Sequence, residues 1–244
     1  MVTRTQGDEF MKDSKFYGYF AGGLAVGLAG GWLLAQSRRK QSTMPNLEIW
    51  QRELERRNGA VQAGFMAAEI QARYDALWAQ RPHFDQAVLN DHLRKGILPG
   101  LALYRVLRTR YETEAEALAE AERLFALAYR GSAAIFPLFK RVPGNFDLFR
   151  VLCREVMARQ YLSAGWQTVY VEDSPECLAF DIRERCLYRD VLTVLGAPEL
   201  TSLFCKMDDL IYSQLAPEIN FIRTKTMGRG DDCCNFRFCR GSGV

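Results

Sequence analysis

The hydrophobic period of this chain changes at Gly165. Before that glycine, apolar residues recur at helical spacing; beyond it, "WQTVYVEDS" and "ECLAFDIRE" alternate as half-buried strands do. Helices that come first and strands that come later do not form repeating strand–helix units with a parallel sheet. The pattern therefore predicts an α+β fold, with a helical N-terminal half packed on a small antiparallel sheet.

The helical half divides at its prolines and glycines. Residues 47–80 have helix-forming composition and no internal proline, which predicts one long helix between Pro45 and Pro82. Residues 85–107 continue it, with a kink at Pro99 and Gly100 in "ILPGLALY". "ETEAEALAEAERLFALAYR" reads as a third helix, and "GNFDLFRVLCREVMARQYLSAG" as a fourth that Gly165 terminates. After the first strand pair, whose turn is "SPE", "CLYRDVLTVLG" and "APELTSLFCKMDDLIYSQL" return to helical period. "PEINFIRTKTMGRGDDCCNFRF" is then a second strand pair with its turn at "MGRGD". Two hairpins thus flank a helical insertion.

Ahead of all this, "FYGYFAGGLAVGLAGGWLLAQS", Phe16 to Ser37, carries no charge. At about 22 residues it would be roughly 33 Å long as a helix, enough to cross a bilayer core. Aromatics stand near its ends and Arg38, Arg39 and Lys40 follow at once, as at the cytoplasmic end of a span. The expected organisation is a short tail (1–15), a single transmembrane helix (16–37), a linker (38–46) and a cytoplasmic soluble domain (47–240). A cleaved signal peptide is the competing reading, with Lys12 and Lys15 in its charged region and a small-residue site near Ala29, but the apolar run continues past that cut. Gly18, Gly22, Gly23, Gly27 and Gly31 supply small-xxx-small pairs, through which the span would associate with itself or with a membrane complex.

Charge and cysteine usage narrow the function classes. The formal charge is +3, with basic and acidic residues interspersed, so nucleic acid is not an expected partner. Seven cysteines with no C-x-x-C pair predict reduced thiols in a cytosol-facing domain. The only histidines, His83 and His92, lack the spacing of a helical zinc site, and structural zinc normally shows paired cysteine or histidine spacings absent here. No metal or cofactor is expected.

Two clusters remain as candidates for chemistry. In "LFCKMDDLIY", Cys205, Asp208 and Asp209 stand at i, i+3 and i+4 and share a helix face, where a thiol and two carboxylates could supply an acid–base pair. The plainer account is that the aspartates pair with arginines or lie on a solvated face. In "GRGDDCCNFRF", strand alternation puts Cys234, Phe236 and Phe238 on one face and Cys233, Asn235, Arg237 and Cys239 on the other. Cys234 is then either a small core residue or a thiolate whose pKa Arg223 or Arg237 lowers. Arg185, Arg189, Arg223 and Lys225 add groups suited to a small carboxylate.

Taken in order, "ILPGLALYRVL", "LGAPELTSLFCKMDD" and "PEINFIRTKTMGRGDDCCNFRF" resemble the L-2-amino-thiazoline-4-carboxylic acid hydrolase family over roughly residues 97–238. The most specific parts are Cys205-x-x-Asp208-Asp209, Arg223, and the closing run of Gly230, Asp231, Cys233 or Cys234, and Phe236. The resemblance implies a hydrolase that opens a small cyclic carbon–nitrogen substrate. Water would attack the amidine-like ring carbon with Asp208 or Asp209 as base, Cys205 or Cys234 would be an alternative nucleophile, and Arg223 or Arg237 would hold the substrate carboxylate. Asn235 occupies a position where the family typically has Asp. If that carboxylate were a base, the chain would instead be a non-catalytic ligand-binding or accessory subunit of a membrane complex. Several free thiols in one cavity would also suit a redox relay.

Overall fold

The computed structural model describes residues 44–133 and 136–241. Residues Met44–Val244 form one compact unit. The span expected at Phe16–Ser37, the tail before it and most of the linker lie outside the described residues. Among the described residues no helix is long and apolar enough to cross a membrane.

The unit is α+β, as the change of period predicts. Its helices are α1 (Leu47–Asn58), α2 (Ala60–Ala79), α3 (Ala87–His92), α4 (Leu98–Arg108), α5 (Glu114–Ala133), α6 (Phe136–Phe139) and α7 (Asn145–Gln160). The hairpin β1 (Trp166–Asp173) and β2 (Cys177–Cys186) follows. Then come α8 (Leu187–Val194), α9 (Thr201–Tyr212), β3 (Ile219–Ile222) and β4 (Cys233–Arg240). The sheet order is β1-β2-β4-β3 and every pairing is antiparallel. The two expected hairpins are therefore fused along β2 and β4, with Ile182 opposite Cys234 and Phe180 opposite Phe236.

Two helix boundaries differ from the sequence reading. The single helix expected over 47–80 is two, because Gly59 adopts φ 80°, a left-handed value that breaks the helical run and that glycine takes without steric cost. The kink expected at Pro99 and Gly100 lies earlier, as a π turn over Leu93–Ile97 that leads into α4. Pro99 has no N–H for the carbonyl four residues back, and at the first turn of α4 that donor is not needed.

Helix α4 is the hub of the helical layer: Leu98, Leu101, Ala102, Leu103, Val106 and Leu107 have no exposed surface. Each leucine so buried contributes roughly 2 kcal/mol of transfer free energy. Trp50 of α1 closes one side, stacking on Phe125 at 6.0 Å and donating its indole N–H to the Leu124 carbonyl at 2.9 Å. On the sheet, Phe180, Phe221, Phe236 and Phe238 form an aromatic cluster on the buried face, with Phe149 of α7 against Phe238 at 4.8 Å. Alternation along β4 thus places Cys234, Phe236 and Phe238 in the core as expected.

Cys177 and Cys239, opposite one another on β2 and β4, are joined as a disulfide. This corrects the expectation of uniformly reduced thiols: spacing along the chain does not reveal a pair that strand register brings together. Cys153, Cys186, Cys205, Cys233 and Cys234 are free.

Candidate active site

Helix α9 and the turn before β4 bring two thiols together. Met227–Arg229 forms a 3-10 turn whose backbone faces the first half of α9. A Cβ placed on Gly228 would lie 2.9 Å from Cys205 Sγ and 3.1 Å from Ser202 N, so only glycine lets the turn approach this closely. Cys205 Sγ receives a hydrogen bond from the Cys234 thiol and another from the backbone of Gly228, while the Met227 N–H donates to Cys234 Sγ at 3.2 Å. The Cys234 hydrogen bond lowers the Cys205 thiol below its ordinary value, against burial and the Asp208 charge, with help from Arg223. Cys234 itself is pushed far up by sharing its proton with Cys205 and by burial. Of the pair, Cys205 is therefore the thiol that ionises first.

Beside it, Arg223 organises the two aspartates. Its side chain is 1% exposed. Nη1 donates to Asp208 Oδ2 at 2.9 Å, Nη2 stands 2.7 Å from Asp209 Oδ1, and Nη2 also donates to the Cys205 carbonyl. The guanidinium lies over Phe236, 5.0 Å from the ring centre. The aspartates do pair with an arginine, as the plainer sequence account held. Asp208 is nonetheless perturbed: burial pushes its carboxyl up to about 6, only partly opposed by Arg223. A carboxyl poised there serves as a proton acceptor or donor near neutrality.

Of the candidates read from sequence, the structure gathers Cys205, Asp208, Asp209, Cys234 and Arg223. Arg237 and Asn235 lie on the opposite face of β4. There Arg237 donates to Asp181 at 2.7 Å and to the Phe180 carbonyl at 3.0 Å. Burial pushes the Asp181 carboxyl up, and hydrogen bonds from Arg183 and Arg237 overcome it, leaving the group below its usual range. These residues, with Lys225, Asp232, Cys233 and Asn235, line a polar recess of about 280 Å³. Asn235 is part of the scaffold: its Oδ1 accepts from the Thr224 and Lys225 N–H groups at 3.0 and 2.7 Å, and its Nδ2 donates to Thr224 Oγ1 at 2.9 Å. Among the described residues no three His, Cys, Asp or Glu side chains gather closely enough to hold a metal ion.

Sequence reasoning missed the tyrosines around Asp208. Tyr212 stands one turn after Asp208 on the same face of α9, and helical spacing alone reveals it. Tyr129 of α5, Tyr161 after α7 and Tyr188 of α8 come from separate elements, with no shared motif. The Asp208 charge acts on all four phenols, adding to burial in raising them above their ordinary value.

No curated protein matches the chain. A crystal structure of Fe(II) unliganded H-NOX protein from K. algicida is similar at TM-score 0.31 and 11% identity, covering 82% of this chain and 96% of that one. A point mutant of the same protein is similar at TM-score 0.31 and 10% identity, with 82% and 98% covered. The sequence profile of a family does match, over residues 90–238, which span α4, α9 and β4 and hence every member of the thiol and aspartate cluster. The chain belongs to the L-2-amino-thiazoline-4-carboxylic acid hydrolase family.

Proposed function

We propose that the chain is a hydrolase that opens a small cyclic amidine by net addition of one water across a ring carbon–nitrogen bond. The observation that carries this reading is the Cys205 thiol, lowered by the Cys234 hydrogen bond and lying one helical turn from a carboxyl poised near neutrality. Cys205 thiolate adds to the amidine carbon, and Asp208 delivers its proton to the departing ring nitrogen as the carbon–nitrogen bond breaks. Water then adds to the same carbon, Asp208 takes its proton, and the Cys205 thiolate leaves. Ring nitrogen ends as a free amine and the amidine carbon as a carbamoyl group. Cys234 and the Gly228 backbone hold the thiolate in place at the start and end of the cycle.

Arg223 serves this chemistry by fixing Asp208 and Asp209; its donors are already occupied, so a substrate carboxylate is held elsewhere. Asn235 does not favour the non-catalytic reading, because its amide is engaged in holding residues 224 and 225 on the other face of the sheet. The uncharged run Phe16–Ser37 and the basic residues after it support a single-pass membrane location with this domain on the cytoplasmic side. Its glycines support association with itself or with a membrane complex.

The test is incubation of the full-length chain with 2-amino-thiazoline-4-carboxylate and detection of carbamoyl-cysteine by mass spectrometry. Wild type turns over, and Cys205→Ser and Asp208→Asn each lose on the order of 10²-fold or more. Absence of turnover, or full turnover in Cys205→Ser, rejects the nucleophile assigned here. Full loss in Asp208→Asn with activity retained in Cys205→Ser would instead favour direct attack by water.

A further inference from the structure

The polar recess of about 280 Å³ lies on the face of β4 that Cys234 does not share. Its floor is Asp181, whose side chain is 7% exposed and meets two guanidinium groups. Arg183, two residues further along β2 and so on the same face, donates from Nη2 to Asp181 Oδ2 at 2.7 Å. Arg237 of β4 donates from Nη2 to Oδ1, also at 2.7 Å. One carboxylate is thus clamped by two cations, which leaves a positive charge over. Arg237 is fully engaged, because its Nη1 goes to the Phe180 and Phe236 carbonyls at 3.0 and 2.9 Å. Arg183 is not: its hydrogen bonds use only Nε and Nη2, and its side chain is 52% exposed.

Lys225 supplies the opposite wall. Asn235 fixes its backbone, accepting the Lys225 N–H on Oδ1 at 2.7 Å and donating its own N–H to the Lys225 carbonyl at 3.3 Å. The ammonium meets Asp232 at 2.9 Å, but the two side chains are 49% and 76% exposed. An ion pair that open contributes little, so Lys225 can turn to a ligand at small cost. Between the walls, Cys233 stands opposite Arg183 in the strand register, and burial raises its thiol, so it keeps its proton and adds no negative charge. Three cations line the recess against two carboxylates, and both carboxylates are already taken. What the recess has left to offer is N–H groups on positive charges.

We propose that this recess binds a phosphate group, free or as the monoester of a small molecule, between Arg183 Nη1 and Lys225 Nζ, with the Asp181–Arg237 pair as its fixed floor. Guanidinium and ammonium groups both suit phosphate oxygens. The two donors reach in from either side of β4, since Arg183 is on β2 and Lys225 follows β3. Their backbones are therefore roughly two interstrand spacings, about 10 Å, apart. A tetrahedral phosphate presents oxygens to both walls, whereas a planar carboxylate engaged by one guanidinium edge leaves the other wall unmet. As the phosphate approaches, its oxygens replace the Asp232 carboxylate on Lys225. The site is independent of the hydrolase reading, because Cys234 faces the other side of the sheet.

Calorimetric titration of the full-length chain at low ionic strength tests it, with inorganic phosphate, phenyl phosphate and acetate as probes. Phosphate binds saturably and at least about tenfold more tightly than acetate. Arg183→Gln and Lys225→Gln each weaken phosphate by about tenfold. Arg183→Gln still leaves Asp181 its bond from Arg237, and unchanged circular dichroism verifies that the variants are folded. Arg159→Gln removes the same charge from a side chain of α7 that is 76% exposed, and leaves phosphate binding as it is in wild type. Phenyl phosphate binding more tightly than phosphate identifies an ester as the ligand, and equal binding identifies the free ion. Absence of saturable binding, acetate as tight as phosphate, or wild-type affinity in a folded Arg183→Gln, Lys225→Gln double variant overturns the assignment. So does an Arg159→Gln loss as large as that of the recess variants, which would reduce the effect to net charge.

Discussion

Arg223 and Asp208 are 2.9 Å apart, yet the arginine side chain is 1% exposed and the aspartate 40%. A sealed cation thus holds a half-buried anion in place. The guanidinium makes three charge-assisted or carbonyl contacts from inside the protein, and the two carboxylates it holds keep part of their surface in solvent. Removing it costs the hydrogen bonds and leaves two neighbouring carboxylates without a cation, but both retain solvent. Arg223→Met is therefore expected to destabilise the fold by about 2–3 kcal/mol, short of the loss when both partners are buried. Arg223→Lys should restore less than half, because one ammonium does not reach three separated acceptors. Urea unfolding measures both; an Arg223→Met protein as stable as wild type would refute the anchoring role.

The Asp208 carboxyl gives stability and rate the same pH trend. Burial raises it from an ordinary 3.8 to about 6 in the folded protein. Between those values the folded state holds a proton that the unfolded chain has released, so this group's contribution to stability falls as pH rises from about 4 to about 6. Asp208 starts the proposed cycle as the acid that protonates the departing ring nitrogen, so the rate falls as the carboxyl ionises. A pH profile of kcat/KM should show a limb near 6 that falls toward higher pH, and Asp208→Asn should leave a low rate without that limb. A wild-type profile flat from pH 5 to pH 7 would remove Asp208 from the rate-limiting proton transfer.

Much of this was legible in the sequence, because strong periodicities determine it. The switch from helical to alternating spacing gave the α+β class, and the i, i+3 spacing gave the shared face of Cys205 and Asp208. Alternation put Cys234 beside Phe236 and Phe238 in the core. What sequence could not supply was depth and register. Arg223 and Arg237 read alike along the chain, but one is sealed against α9 and the other pairs with Asp181 on the opposite face. Tyr161 and Tyr188 come together only because α7, β1 and α8 pack around His92. The Cys177–Cys239 pairing follows from β2–β4 register, which no spacing in a single chain encodes.

The Cys234 hydrogen bond makes a prediction about the neighbouring thiol. It is the largest influence lowering Cys205, so deleting the donor should raise the Cys205 pKa. Iodoacetamide labelling of Cys205 at neutral pH, read by peptide mass spectrometry, should slow several-fold in Cys234→Ala. Cys234→Ser keeps an O–H donor and should keep most of the rate. Burial raises Cys186 to about 11, so it serves as the slow internal reference in the same digest. Equal labelling of Cys205 in wild type and Cys234→Ala would show that the thiol pair is packing alone.

Asn235 tests whether a departure from the family's typical residue reports a lost function. In this chain its carboxamide accepts two backbone N–H groups and donates to Thr224 Oγ1. Aspartate could accept the same two N–H bonds and would lose only the donation, for which the threonine hydroxyl can rotate to become the donor. Asn235→Asp should therefore change stability by less than about 1 kcal/mol and leave turnover within a factor of two or so. Asn235→Ala leaves two backbone donors unpaired and should cost about 1–3 kcal/mol, again with little change in the chemical step. Paired unfolding and turnover measurements separate the possibilities. A large gain of activity in Asn235→Asp would mean that a base is missing from the polar face of β4, and would move the reacting centre away from Cys205.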